Sequence, residues 1–195
     1  MLSNRRIVCH SQFEIVMSFL DKLHDINTII LDVDGVLTDS SVYVFEDGVL
    51  MRKMNVRDGY AIKYAISKGY RVIIITGGKS AGVITRLENL GVQEIYSGMQ
   101  DKLEAMDELI EVYGLDLSAS AYMGDDLPDY ECLRLVGLST CPANAAPEIR
   151  ALCQYISPLK GGEGCVRDLI EKILKVQGNW IETDLVNLTN DKRDF

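Results

Sequence analysis

The chain has 195 residues, with 20 Lys or Arg against 29 Asp or Glu and a formal net charge of −9. That length fits one domain, and 47% hydrophobic with 25% charged residues excludes a wholly disordered chain. The acidic balance excludes nucleic acid as a main partner, because a phosphate backbone demands clustered cations. No run approaches the ~20 apolar residues of a membrane span. Ser11, Gln12 and Glu14 interrupt the apolar stretch that a signal peptide would need. The expectation is a soluble, cytoplasmic protein without a membrane partner. Cys9, Cys132, Cys141, Cys153 and Cys165 form an odd set with no CxxC pair, so buried free thiols are expected.

In chain order, residues 1–25 read as a helical prelude, with Phe13, Val16, Met17, Leu20 and Leu23 at helical spacing. Residues 28–31 form an apolar run ending in Asp32, the pattern of a strand buried on both faces. Two β-prone runs, 41–45 and 49–54, flank Asp47-Gly48 and predict a hairpin, because both of those turn positions can take positive φ. A helix over about 59–68 stops at Gly69, and a buried strand follows over 70–75. A helix from Ser80 carries Val83, Ile84, Leu87 and Leu90 on one face and stops at Gly91. Then come a short strand at 94–96 and a helix bearing Leu103, Met106, Leu109, Ile110 and Tyr113. A strand at 119–123 precedes Pro128, which suits the first turn of the next helix. Weaker strands at 138–141 and 154–156 lead to a helix over about 166–176.

This alternation predicts an α/β fold, a doubly wound parallel sheet with a small hairpin insertion and no large cap domain. Residues 1–178 read as one domain with a hairpin flap at about 41–54, and 179–195 as a polar tail. In such sheets ligands sit beyond the carboxyl ends of the strands.

The chemistry-bearing segment is Asp32-Val33-Asp34-Gly35-Val36-Leu37-Thr38-Asp39, where the first buried strand gives way to a loop. Alternation puts Asp32 and Asp34 on one side, and like charges so close require a cation or a shared proton. Hard oxygen ligands favour Mg2+ over zinc. Gly35 lets a backbone N–H approach an anion closely. Read alone, the segment could equally be an acidic turn that ends a strand.

Three further strand ends add to it: Thr76-Gly77-Gly78, Asp101-Lys102, and Gly124-Asp125-Asp126-Leu127-Pro128-Asp129. Each has an ordinary reading by itself: Thr76 beside a helix cap, Lys102 as a solvated charge, Asp125 and Asp126 as caps before Pro128. Their recurrence at the carboxyl ends of successive strands points to one site. Gly78-Lys79-Ser80 echoes a nucleotide P-loop, but Ile73 stands where that motif needs glycine.

In this order the four segments resemble the motifs of the haloacid dehalogenase superfamily of phosphotransferases, over about 29–176. The resemblance implies that Asp32 is a nucleophile forming an aspartyl-phosphate. It implies that Asp34 protonates the leaving alkoxide and then activates water. Mg2+ would be held by the Asp32 carboxylate, the Asp34 backbone carbonyl and Asp125. Gly35, Thr76, Gly77 and Lys102 would hold the phosphoryl oxygens, and Asp126 and Asp129 would orient Lys102 or metal-bound water.

Only the hairpin separates the first motif from the next helix, so the sequence looks like the capless branch that includes 3-deoxy-D-manno-octulosonate 8-phosphate phosphatases. In that branch four chains associate and neighbouring hairpins cover the sites, which implies a homotetramer. The segments Asn55–Tyr60 and Lys160–Arg167 also resemble that branch. They imply that Arg57 and the glycine run line the sugar pocket, whereas unaided they read as a surface charge and a helix-entry turn. The implied substrate is a sugar-acid phosphate, the octulosonate 8-phosphate of lipopolysaccharide precursor synthesis. The alternative is 2-keto-3-deoxynononate 9-phosphate. Gly78 stands where octulosonate phosphatases often carry Arg, and Glu163 where the nine-carbon phosphatase tends to carry Glu. A phospho-accepting receiver lacks the second aspartate, so Asp34 separates that reading, and an inactive scaffold would have lost a catalytic position.

Overall fold

The computed structural model describes residues 19–180. Cys9, Phe13, Val16 and Met17 of the expected prelude, and the tail beyond Trp180, lie outside the described residues. Residues 19–25 are helical (α1), and Leu23 on that helix is buried. The chain continues through β1 (Thr28–Leu31), β2 (Tyr43–Val44), β3 (Leu50–Met51), α2 (Val56–Ser67), β4 (Arg71–Thr76), α3 (Ala81–Asn89) and β5 (Glu94–Ser97). It then forms α4 (Lys102–Glu111), β6 (Ser120–Met123), a 3₁₀ turn at Leu127–Asp129 and α5 (Tyr130–Leu135). Last come β7 (Leu138–Cys141), α6 (Pro147–Leu152), β8 (Tyr155–Ile156) and α7 (Cys165–Val176).

Six strands pair in parallel in the order β5-β4-β1-β6-β7-β8. The order runs outward from β1 in both directions, so the connections part beside its carboxyl end and open a crevice there. Alternation along β1 divides the core. Ile29 and Leu31 join Ile62 of α2 and Leu169, Ile170 and Ile173 of α7 on one face of the sheet. Ile30 joins Met106 and Leu109 of α4, Leu133 of α5 and Ile149 of α6 on the other. The expected doubly wound sheet with its small separate hairpin is therefore the observed fold.

Three local expectations change. Helix α2 begins at Val56 rather than near 59, because the Asn55 side chain accepts from Arg57 N at 2.8 Å and caps the helix. Helix α6 was not expected, since its six residues are too few to display a period, although Pro147 opens it. The hairpin pairs only two residues per arm, and its turn is not a two-residue Asp-Gly turn. Gly48 N donates to Phe45 O at 2.9 Å and Phe45 N to Val49 O at 3.0 Å. Gly48 has φ of 83°, whereas Asp47 is not among the residues with positive φ. The loop therefore has three residues and ends in a glycine bulge.

The segments after β8 brace the site from behind. Gly162 N donates to Val36 O at 2.9 Å, and a Cβ on Gly161 would collide with Gly35 O, so backbone lies directly on backbone. Asn55 Nδ2 holds Gly162 O at 3.2 Å, and buried Asp58 accepts from Arg167 N at 2.7 Å in the first turn of α7. Beyond Gly178, Trp180 packs edge-on against Tyr64, with ring centroids 5.1 Å apart. Replacing Asp58 with Ala removes this acceptor from α7 and should cost about 1–2 kcal/mol. A lower urea midpoint with unchanged slope would show it, and an unmoved midpoint would refute the bracing role.

Candidate active site

Asp32 is the first residue past β1, and its N–H still donates to Met123 O of β6 at 3.0 Å. The chain turns back at once. Val36, Leu37 and Thr38 all aim their N–H groups at Val33 O, at 3.3, 3.0 and 3.0 Å. Thr38 Oγ1 accepts from Gly35 N at 3.2 Å and closes the loop. Gly35 has φ of 94°, and a Cβ there would collide with the Asp125 carboxylate. Its N–H is thus engaged within the loop rather than offered to an anion, and its contribution is the room it gives Asp125.

Lys102 opens α4 behind Asp101, whose carboxylate accepts from Leu103 N at 2.9 Å and caps the helix. The Lys102 side chain is 5% exposed, and its Nζ lies 2.9 Å from Asp32 Oδ1 and 2.6 Å from Asp129 Oδ1. Asp129 also accepts from Tyr122 Oη at 2.8 Å, Asp125 N at 3.1 Å and Asp126 N at 3.4 Å. Asp126 itself is exposed and caps the 3₁₀ turn through Leu127 N at 2.8 Å. Buried Thr76 ends β4, and its Oγ1 accepts from Gly78 N at 3.2 Å.

Asp32, Asp34, Thr76, Gly77, Lys102 and Asp125 line one cleft of about 350 Å³ at the carboxyl ends of the central strands. Six of the eight sequence-predicted residues are thereby brought together, with Gly35 packed against Asp125. Arg57 is not brought there. Helix α2 buries Asp58, Gly59, Ala61, Ile62 and Ala65, which leaves Arg57 exposed. It lines a separate groove of about 440 Å³ with Glu163 and Arg167. The sequence reading missed Arg52, which reaches from the hairpin to Asp34 with Nε 2.6 Å from Oδ1 and Nη2 3.1 Å from Oδ2. Nothing in the pattern of residues 41–54 distinguishes it from Lys53. The one pointer is Gly78, a missing side chain where room is needed.

The electrostatics call for a further cation. Burial, reinforced by Asp129 and opposed by Lys102, pushes the Asp32 carboxyl up to about 7. Burial together with Asp32 and Asp129 pushes Asp125 up to about 7. For Lys102, burial disfavours the ammonium, but Asp32 and Asp129 outweigh it and its pKa is raised. Oxygens of Asp32, Asp125 and Asp129 lie within 4.8 Å of one another. Both Asp129 oxygens already accept hydrogen bonds, so Asp32 and Asp125 are the pair left for a metal. An all-oxygen, charge-rich set fits Mg2+.

The chain matches the haloacid dehalogenase-like hydrolase family over residues 91–167. It is 38% identical over 159 residues to the 3-deoxy-D-manno-octulosonate 8-phosphate phosphatase KdsC of Salmonella typhi, across 82% of this chain and 85% of that protein. The chain belongs to the haloacid dehalogenase-like hydrolase family. Its fold is similar to that of the Yersinia pestis octulosonate phosphatase, with a TM-score of 0.81 and 36% identity over 83% of this chain and 88% of that one. It is similar also to the Moraxella catarrhalis phosphatase in complex with magnesium, phosphate and KDO. There the TM-score is 0.80 and the identity 36%, over 91% of this chain and 98% of that one.

A pH-dependent metal effect follows from this family member's carboxylates. Without metal, the folded state holds protons on Asp32 and Asp125 above the ordinary carboxyl value of 3.8, up to about 7. In that window the folded chain binds more protons than the unfolded one, so stability falls as pH rises. Mg2+ replaces those protons. The rise in melting temperature on adding Mg2+ should therefore be larger at about pH 8 than at about pH 6. An equal or reversed effect in a thermal-shift titration would contradict it.

Proposed function

We propose that this protein is a Mg2+-dependent phosphatase that hydrolyses 3-deoxy-D-manno-octulosonate 8-phosphate to the free sugar acid and phosphate. The observation that carries the reading is that Asp32, held by Lys102, shares one cleft with Asp34, Thr76 and Asp125. Support for the substrate comes from the octulosonate phosphatases to which the chain is similar, one of them in complex with magnesium, phosphate and KDO.

An Asp32 oxygen bonds to phosphorus as the bond from phosphorus to the sugar oxygen breaks, giving an aspartyl-phosphate. Asp34 gives its proton to the departing alkoxide, then takes one from the water that attacks phosphorus and frees Asp32. Lys102 fixes the nucleophile, and Thr76 Oγ1 and the Gly77 backbone hold the phosphoryl oxygens as charge shifts onto them. Asp32 and Asp125, with the Asp34 backbone carbonyl, would hold Mg2+, which would supply positive charge to offset that of the phosphoryl oxygens. Gly35 serves by admitting Asp125 to the cleft. The nine-carbon 9-phosphate is the second reading because of Glu163, but that residue lines the Arg57 groove rather than this cleft.

The reading extends to assembly and place. Val42, Tyr43, Val44, Phe45, Val49, Leu50 and Met51 are all exposed, and Val44 reaches 71%. An apolar hairpin so open to water favours burial against further copies of the chain, in a homotetramer whose flaps, residues 41–54, cover one another's clefts. Arg57 would meet substrate only across such a contact. Among the described residues no helix is long and apolar enough to cross a membrane. Cys132, Cys141, Cys153 and Cys165 are free, which suits the reducing cytoplasm.

In a phosphate-release panel the octulosonate 8-phosphate should be the best substrate, and Asp34→Asn should lower turnover on it by about 10²–10⁴-fold. Preference for the nine-carbon 9-phosphate would overturn the substrate alone, and undiminished turnover in Asp34→Asn would overturn the mechanism. Light scattering should give a tetramer that Val44→Asp disrupts. A fully active monomer at assay concentration would refute the assembly.

A further inference from the structure

Every residue from Ser40 to Met51 is exposed, and the chain then turns Arg52 inward until its side chain is only 8% exposed. Its fork meets the Asp34 carboxylate through two parallel bonds, 2.6 Å from Nε and 3.1 Å from Nη2. Paired bonds of this kind fix the plane of a carboxylate as well as its place. The third nitrogen, Nη1, is buried without a partner, which an arginine serving only to anchor the hairpin would not tolerate cheaply. Asp34 remains over a third exposed, so the pair adds little to stability, and orientation is what it supplies.

The backbone opposite has been cleared for this contact. A Cβ on Gly78 would stand 2.8 Å from Asp34 Oδ2, 3.2 Å from Arg52 Nη2 and 3.6 Å from Thr76 Oγ1. The carboxylate, the guanidinium and the hydroxyl of the proposed phosphoryl pocket thus converge on the one point that glycine leaves empty. A guanidinium fork donates to both oxygens and grips the ionised carboxylate far better than the protonated one. The ionised form is the one Asp34 takes after giving its proton to the leaving group, and the form needed to activate water.

We propose that Arg52 is a positioning residue that holds ionised Asp34 for the second half of the reaction, the hydrolysis of the aspartyl-phosphate. In that step the water oxygen bonds to phosphorus, its proton passes to Asp34, and the bond from Asp32 to phosphorus breaks to release phosphate. The inference rests on the assignment of Asp34 as the acid and base. The hairpin thereby contributes a residue to the chemistry of its own chain, whatever it covers in another.

The test uses the full chain with Mg2+ and p-nitrophenyl phosphate, whose leaving group departs without a proton, so that the first step bypasses Asp34. Arg52→Met should release about one equivalent of nitrophenolate per site in a burst. Its kcat should then be at least about tenfold lower, with kcat/KM much less affected, because the water step has lost its oriented base. Arg52→Lys keeps the charge but not the fork and should fail likewise. Gly78→Ala intrudes on the pair from the other side and should give the same burst, and the double variant should be no worse than either single one. Rescue by Arg52→Lys, additive effects, or a parallel loss of kcat and kcat/KM without a burst would overturn the inference. Asp34→Asn is the control. If it too lacks a burst followed by slow turnover, the assignment of Asp34 has failed. If it stalls after the burst while Arg52→Met does not, only the role of Arg52 has failed.

Discussion

The buried ammonium of Lys102 is the contact on which the site depends. It lies 2.9 Å from Asp32 and 2.6 Å from Asp129, and all three side chains are almost wholly withdrawn from water. Breaking a buried pair of this kind typically costs about 3–5 kcal/mol, because the group left behind has no compensation. The three residues come from separate connections, after β1, after β5 and after β6, and they meet because parallel strands all end at one edge. One ammonium between two carboxylates leaves an excess of negative charge, to which Asp125 adds. Burial, reinforced by that excess, raises Asp32 and Asp125, and the excess makes a divalent cation the natural occupant.

The floor of the cleft and the hairpin beside it are held by different forces. The floor is backbone on backbone, with Gly161 and Gly162 lying on the loop that carries Asp34 and with Asn55 and Asp58 fastening that layer to α2 and α7. Such packing fixes the loop that carries Asp34 in place, the pre-organisation that the proposed chemistry requires. The hairpin beside it leaves its apolar side chains from Val42 to Met51 exposed, and Met54 at its base packs against the core. Ion pairs tie it down, Arg52 to Asp34 and Lys53 to Asp39 at 2.8 Å. Its apolar surface is thus left open to water, while its one buried arginine meets the carboxylate of its own cleft.

The carboxylates of the cleft and Lys102 were legible because each stands at the end of an apolar run or opens the next helix, where a parallel sheet gathers its loops. The broad topology was legible for the same reason. What escaped was set by contacts between distant segments. Arg57 carries the right motif, yet the helical turn that buries Asp58 and Gly59 leaves it outside the cleft. Gly35 was read as an opening for an anion, but Thr38 takes its N–H and Asp125 takes its space. Arg52 shows no spacing of its own, and its meaning comes from Asp34, 18 positions away, and from the gap at Gly78. The hairpin turn differed because only Gly48 adopts the left-handed conformation, so three residues close the loop.

The central claim is that Asp32 carries the phosphoryl group during turnover. Rapid acid quenching of the full chain with Mg2+ and octulosonate 8-phosphate, followed by peptide mapping in a mass spectrometer, tests it most directly. The account predicts one phosphoryl group, on the peptide that begins the loop after β1 and at Asp32 itself. A phosphoryl group on any other side chain would contradict it, whatever the rate of turnover.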